Sequence, residues 1–185
     1  MGNKASFIFL DIETTGLEPN VHSIVELAAI ATDDDFNELS TFSTLIKDRE
    51  VVWDTYCILM HTENGLVKAL QDGPASTTDI AASRFELWLD KVVDQKNKPQ
   101  IAGASVHFDV SFLQASGRFD FVKKLTHYRR FDLSVLRTAA KLVGKTDAFA
   151  VGKKEGLGGT QHRALSDIRQ DIDHARKFKR ILAAA

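Results

Sequence analysis

The sequence predicts an α/β domain built on a mixed, five-stranded sheet flanked by helices. Two observations carry that reading. Strand-like and helix-like segments follow in the order β-β-β-α-β-α-β-α, with three strands first in antiparallel succession. The first strand is apolar on both faces and is therefore central. A chain of 185 residues buries a substantial core without covalent staples. It is read as one domain over 1–185, with 183–185 a tail.

The three opening strands fall at about 5–12, 24–32 ("IVELAAIAT") and 38–46 ("ELSTFSTLI"), separated by the turn-like "EPN" and "DDDFN". Residues 51–71 read as two short helices around "HTENG". A helix follows over about 79–93, for which Thr77 or Thr78 is a candidate cap, with Ile80, Phe85, Leu87, Trp88 and Leu89 including its core face. "PQIAGAS" (99–105) is a short buried strand leading into a helix over about 108–115. "HYRRFD" precedes a helix over about 133–143 that stops at Gly144, a suitable C-terminal cap. Five glycines punctuate 144–160, and a last amphipathic helix covers about 163–181.

Composition narrows the function classes. An apolar fraction of 44% and a charged fraction of 26% are those of a soluble globular protein. The lone cysteine, Cys57, excludes an internal disulfide, and no Cys/His cluster has zinc-finger spacing. The expected compartment is the cytoplasm, with no membrane partner. No apolar run approaches the roughly 18 residues of a membrane span. The opening "MGNKAS" fits an acylation pattern, but no polybasic stretch supports an anchor.

The net charge is only −1, yet residues 1–60 hold 11 acids against 3 Lys/Arg, whereas residues 123–154 hold 9 Lys/Arg against 2 acids. Such an asymmetry suits a protein that meets cations on one side and phosphates on the other, and equally suits two solvated faces. "AAKLVGKT" (139–146) lacks the first glycine of a phosphate-binding loop and ends a helix, so it is not one.

The chemistry begins at "DIETTGL" (11–17). Residues i and i+2 of a strand share a face, so Asp11 and Glu13 lie side by side at the carboxyl end of a central strand, while Ile12 points away. Neighbouring carboxylates repel unless a cation or a shared proton neutralises them. Taken alone, the pair is equally an exposed strand end. Asp109 in "SVHFDVSFL" is alone a plain helix-start aspartate, and Asp167 in "HRALSDIRQDI" a helix-surface acid. Asp171 and His174, further along that helix, read as solvated.

Together and in this order, the three segments resemble the motifs of the DEDDh 3′→5′ exonucleases. The resemblance implies a ribonuclease H-like fold and fills all four acidic positions (Asp11, Glu13, Asp109, Asp167) and the histidine position (His162). It implies that the four acids hold two divalent cations, Mg²⁺ or Mn²⁺, for a two-metal-ion hydrolysis yielding 5′-mononucleotides. Hard oxygen donors suit such ions, and paired ions serve in-line displacement. By the same resemblance His162 is the general base, a role that suits an imidazole. Its place after the glycine-rich loop suggests a segment that closes over substrate.

A narrower resemblance, to oligoribonucleases, rests on "MHTENGLV", "HYRRFDLSVL" and "GTQHRALSDIR". It implies that Leu17 wedges between bases, that His61 contacts substrate, and that Tyr128 reaches the site of the partner subunit in a homodimer. Ser105, Arg129, Ser134 and Thr138 would take the 5′ phosphate, for which arginine and hydroxyls are sound partners. Phe108 and the Phe112-Leu113 pair depart from that branch toward proofreading-type exonucleases. The favoured substrate is short RNA, with single-stranded DNA as the rival. A non-catalytic nucleic-acid-binding module is the reading of another class.

Overall fold

The computed structural model describes residues 4–144 and 162–183. Their strands are β1 (Phe7–Thr14), β2 (Ile24–Thr32), β3 (Glu38–Ile46), β4 (Ala75–Ser76), β5 (Gln100–Gly103) and β6 (Arg130–Asp132). The helices are α1 (Thr55–Glu63), α2 (Leu66–Asp72), α3 (Thr78–Val92), α4 (His107–Ala115), α5 (Asp120–Leu125), α6 (Leu133–Leu142) and α7 (Ala164–Ala183).

The strands form one sheet in the order β4-β3-β2-β1-β5-β6. β1, β2 and β3 pair antiparallel, while β5 joins β1 and β6 joins β5 in parallel. The expected order of strands holds, with one strand more than the five expected. The addition is β4, two residues long and parallel to β3 at Leu45 and Ile46, too short to leave a periodic signal.

β1 is covered on both faces, as its unbroken apolar run requires. Ile8, Leu10 and Ile12 enter a core with Phe85 and Leu89 of α3 and Val110 and Phe112 of α4. Phe9 faces the other way, into a second core with Ile168, Ile172 and Ala175 of α7. Phe7 and Phe36 meet both Phe9 and Phe131 there, with ring centroids 5.2–6.4 Å apart. Truncating the fully buried Phe9 to alanine would cost about 3–5 kcal/mol. By the alternation of the strand, Asp11 and Glu13 continue the Phe7–Phe9 face, the one on which α7 packs.

Of the apolar residues of α3, Phe85 and Leu89 are buried together with Ala81 and Ala82, Trp88 lies at the edge of this stripe, and Ile80 and Leu87 are exposed. Thr77 occupies the N-cap without a side-chain bond. The cap comes instead from Asp48, whose carboxylate accepts from the Thr78 main chain at 3.0 Å and from its hydroxyl at 2.6 Å.

Gly103 brings β5 against β1. A Cβ there would stand 2.9 Å from the Leu10 carbonyl oxygen, so only glycine permits this approach. The consequence is functional: Ala104 and Ser105 emerge beside the end of β1.

Candidate active site

Four carboxylates converge where β1 ends. Asp11 and Glu13 come from β1, Asp109 from the first turn of α4 and Asp167 from the first turn of α7. Carboxylate oxygens of Asp11, Glu13 and Asp167 all lie within 4.8 Å of one another. Asp109 is 4% exposed and accepts a hydrogen bond from the Ile12 main chain at 3.1 Å. All four acids, with His162, Ile12, Ala104, Ser105 and Phe108, line a cleft of about 230 Å³. Phe108 rests against Phe112 with ring centroids 4.9 Å apart.

The electrostatics of this cluster are unfavourable by themselves. Burial, then the charges of Asp109, Glu13 and Asp167, holds the Asp11 carboxyl well above its ordinary range. Burial and the nearby Asp167 and Glu26 push Glu13 up to about 8, against the opposing charge of Arg163. Burial raises Asp109 to about 7 despite its bond from Ile12. Asp167 is raised as well, chiefly by burial, with His162 acting the other way. Grouped hard oxygen donors whose ionised forms are mutually repelled fit divalent cations such as Mg²⁺ or Mn²⁺.

His162 stands two positions before the start of α7 with φ 41°, and its carbonyl oxygen accepts from the Asn64 side chain at 2.7 Å. The glycine-rich segment before it, expected to close over substrate, lies outside the described residues from 145 to 161. On the other side of His162, Glu26 of β2 accepts from Arg163 Nε at 3.1 Å, Arg163 Nη2 at 3.0 Å and the Ala164 main chain at 3.3 Å.

Of the residues expected to meet substrate, Ser105 and Ser134 come together, their hydroxyls 2.9 Å apart. Asp132, at the N-cap of α6, holds both main-chain nitrogens, that of Ser105 at 3.1 Å and that of Ser134 at 2.8 Å. The Thr138 hydroxyl donates to the Ser134 carbonyl one turn along α6. Leu17 is 74% exposed on the turn after β1. That turn is closed by His22, whose ring would lie 2.3 Å from a Cβ at Gly16. Tyr128 is 80% exposed, stacked on His127, with the Arg129 guanidinium 5.5 Å from its ring centre. It lines a second, larger hollow of about 740 Å³, away from the four acids.

His61, expected to contact substrate, is 1% exposed, its Nε2 lying 3.1 Å from the Thr14 carbonyl and 3.8 Å from Glu13. Burial holds its pKa below the usual histidine range, so the neutral ring lies beneath Glu13 as a support.

Asp171 and His174, expected to be solvated, are not. His174 is buried, and Asp171 accepts from the Ala104 main chain at 2.8 Å and from Arg137 at 2.9 Å. Asp171 thus ties the end of β5 and helix α6 to α7, at the rim of the cleft. Its i+4 spacing from Asp167 along one helix face was the available signal.

Comparison with known proteins agrees with this geometry. The exonuclease family model RNase_T matches residues 8–174. The chain is 31% identical over 178 residues to an oligoribonuclease of Vibrio campbellii, covering 94% of this chain and 93% of that one. It is 31% identical over 180 residues to a probable oligoribonuclease of Schizosaccharomyces pombe, covering 95% of this chain and 68% of that one. Among solved structures it is similar to exonuclease I of E. coli in complex with single-stranded DNA, with a TM-score of 0.70 at 21% identity. That match takes in 97% of this chain but 41% of the other, so the chain spans about two fifths of exonuclease I and shares its fold.

Proposed function

Because this chain belongs to the RNase_T exonuclease family and is a 3′→5′ exonuclease, we propose that its substrates are short oligoribonucleotides, hydrolysed to 5′-mononucleotides. The convergence of four acids and His162 on one cleft carries the catalytic part of this reading. The substrate part is supported by the end-to-end likeness to an oligoribonuclease, set against the two-fifths coverage of exonuclease I.

Asp11, Glu13, Asp109 and Asp167 would hold two divalent cations, Mg²⁺ or Mn²⁺. Such ions supply activation of the attacking water and neutralise the charge that develops on the departing 3′ oxygen. His162 accepts the proton of that water as its oxygen bonds to phosphorus and the P–O3′ bond breaks. Leu17 packs against a base. Ser105, Ser134, Thr138 and Arg129 face the 5′ phosphate, a role supported by the paired hydroxyls of Ser105 and Ser134 at the start of α6. Tyr128 stacks on a base in the site of a second copy, in keeping with its exposure and with its absence from the lining of this chain's own cleft.

Residues 1–185 act as one exonuclease domain, and the reading places it in the cytoplasm as a homodimer. Among the described residues no helix is long and apolar enough to cross a membrane. The test is a series of 5′-phosphorylated RNA and DNA strands from dinucleotides upward, with Mg²⁺ or Mn²⁺. Fastest turnover of the shortest RNAs is expected. Preference for long single-stranded DNA would replace this reading with the proofreading type.

A further inference from the structure

Asn64, in the link between α1 and α2, spends its amide on three sides. Nδ2 donates to the His162 carbonyl oxygen at 2.7 Å, across 98 residues of chain, and lies 3.3 Å from Nδ1 of His61. Oδ1 accepts from the Leu66 main chain at 2.9 Å. The carbonyl of His162 only accepts, so the amide nitrogen must face it, and the orientation of the side chain follows. With Nδ2 donating to His61 Nδ1, the His61 proton sits on Nε2 and points to the Thr14 carbonyl. A continuous polar line thus runs from the Thr14 carbonyl through His61 and Asn64 to the main chain of His162.

The line ends at a conformation that needs holding. His162 has φ 41°, a region that residues with a Cβ seldom adopt. On its C-terminal side the next two residues are gripped by Glu26 through three hydrogen bonds. On the main chain of His162 itself, the hydrogen bond from Asn64 is the corresponding restraint. Between them, α1 and β2 set where the imidazole enters the cleft.

We propose that Asn64 is a positioning residue for hydrolysis, its side-chain amide holding the His162 main chain so that the imidazole meets the attacking water. The proposal rests on the reading of His162 as general base. A misplacement on the order of 1 Å can cost up to about a hundredfold in rate. A single lost restraint on a helix-anchored residue is expected to cost about tenfold.

Asn64→Asp keeps the oxygen that accepts from Leu66 and removes the donors to His162 and His61. The expected result is a kcat about tenfold lower, with KM and calorimetric Mn²⁺ affinity unchanged. Added to His162→Ala, the same change should cost nothing further, because the group it positions is gone. Wild-type turnover of Asn64→Asp would reduce Asn64 to a cap of α2 and overturn the proposal. So would a full additional loss on top of His162→Ala, or a fall in Mn²⁺ affinity, which would place its action on His61 and Glu13. If His162→Ala itself turns over normally, the general-base reading fails and the proposal falls with it. A slow His162→Ala beside an unaffected Asn64→Asp removes the proposal alone. Should Asn64→Asp not fold, Asn64→Ala carries the same cycle.

Discussion

The Asp109 carboxylate accepts a hydrogen bond from the main-chain N–H of Ile12, the residue that separates Asp11 from Glu13. One side chain therefore does two things: it adds a fourth charge to the acidic cluster and it ties α4 to the end of β1. The charge opposes folding without cations, and the tie favours it.

These two roles are separable by substitution. Asp109→Asn keeps an oxygen for Ile12 while removing the charge, so activity should be lost whereas the cation-free protein melts no lower than wild type. Asp109→Ala strands a buried N–H, at a cost of about 1–3 kcal/mol. Its melting temperature should fall by roughly 2–12 °C for a chain of this size. Thermal melts in chelator distinguish the two, and equal destabilisation by both would show that the tie carries no weight.

The raised carboxyl groups make stability depend on pH in a defined direction. Glu13 titrates near 8 in the folded chain, against an ordinary value of 4.5, and Asp109 near 7 against 3.8. Between the ordinary and the folded values, the folded state holds protons that the unfolded state has released. Stability from these groups is complete below their ordinary values and is lost as pH rises through about 7 and 8. His61, lowered by burial, works oppositely, its contribution fading as pH falls. In chelator the melting temperature should therefore fall from about pH 5 to about pH 8, less steeply in Glu13→Gln. Excess Mg²⁺ should reverse the trend, since cations bind the ionised acids. A flat profile for both proteins would mean that the acids are not repelled in the fold.

What the sequence made legible was local. The apolar run ending in Asp11 and Glu13 announced a central strand and a shared face, because alternation along a strand needs no knowledge of its neighbours. Asp109 and Asp167 became meaningful only as a set, each being ordinary at a helix start. Asp171, His174 and Asn64 were not legible, because their partners lie far away in the chain. Asp171 meets Ala104 across 67 residues, and Asn64 meets His162 across 98. Which apolar residues of α3 lie inside was open for another reason: periodicity finds an apolar helix, but the packed sheet decides that Phe85 and Leu89 are buried with Ala81 and Ala82 while Ile80 and Leu87 are not.

Asp171 should behave as a structural support of the cleft. Asp171→Ala leaves the Ala104 N–H and the half-exposed Arg137 without their acceptor, for about 2 kcal/mol, or roughly 4–8 °C in melting temperature. Asp171→Asn retains an oxygen for Ala104 and should lose less than half of that. Mn²⁺ affinity of the folded protein should remain. If Asp171→Ala melts like wild type but no longer binds Mn²⁺, Asp171 belongs among the cation ligands instead.

Tyr128 gives a test of the subunit arrangement that needs no structure of a complex. Its exposed ring is stacked on His127 with the Arg129 guanidinium beside it, so Tyr128→Ala should leave the melting temperature unchanged. Its turnover of the shortest RNAs should fall, since a stacked base contributes about 1–3 kcal/mol. Asp11→Asn, with its tyrosine intact, should be inactive through loss of its cation site. If Tyr128 serves the neighbouring subunit, a heterodimer of the two variants holds one site with all its acids and a tyrosine. Random pairing of equal amounts repairs roughly a quarter of the sites, so activity should rise on mixing well above the sum of the separate proteins. Activity that merely averages would place Tyr128 in service of its own chain or outside the site altogether.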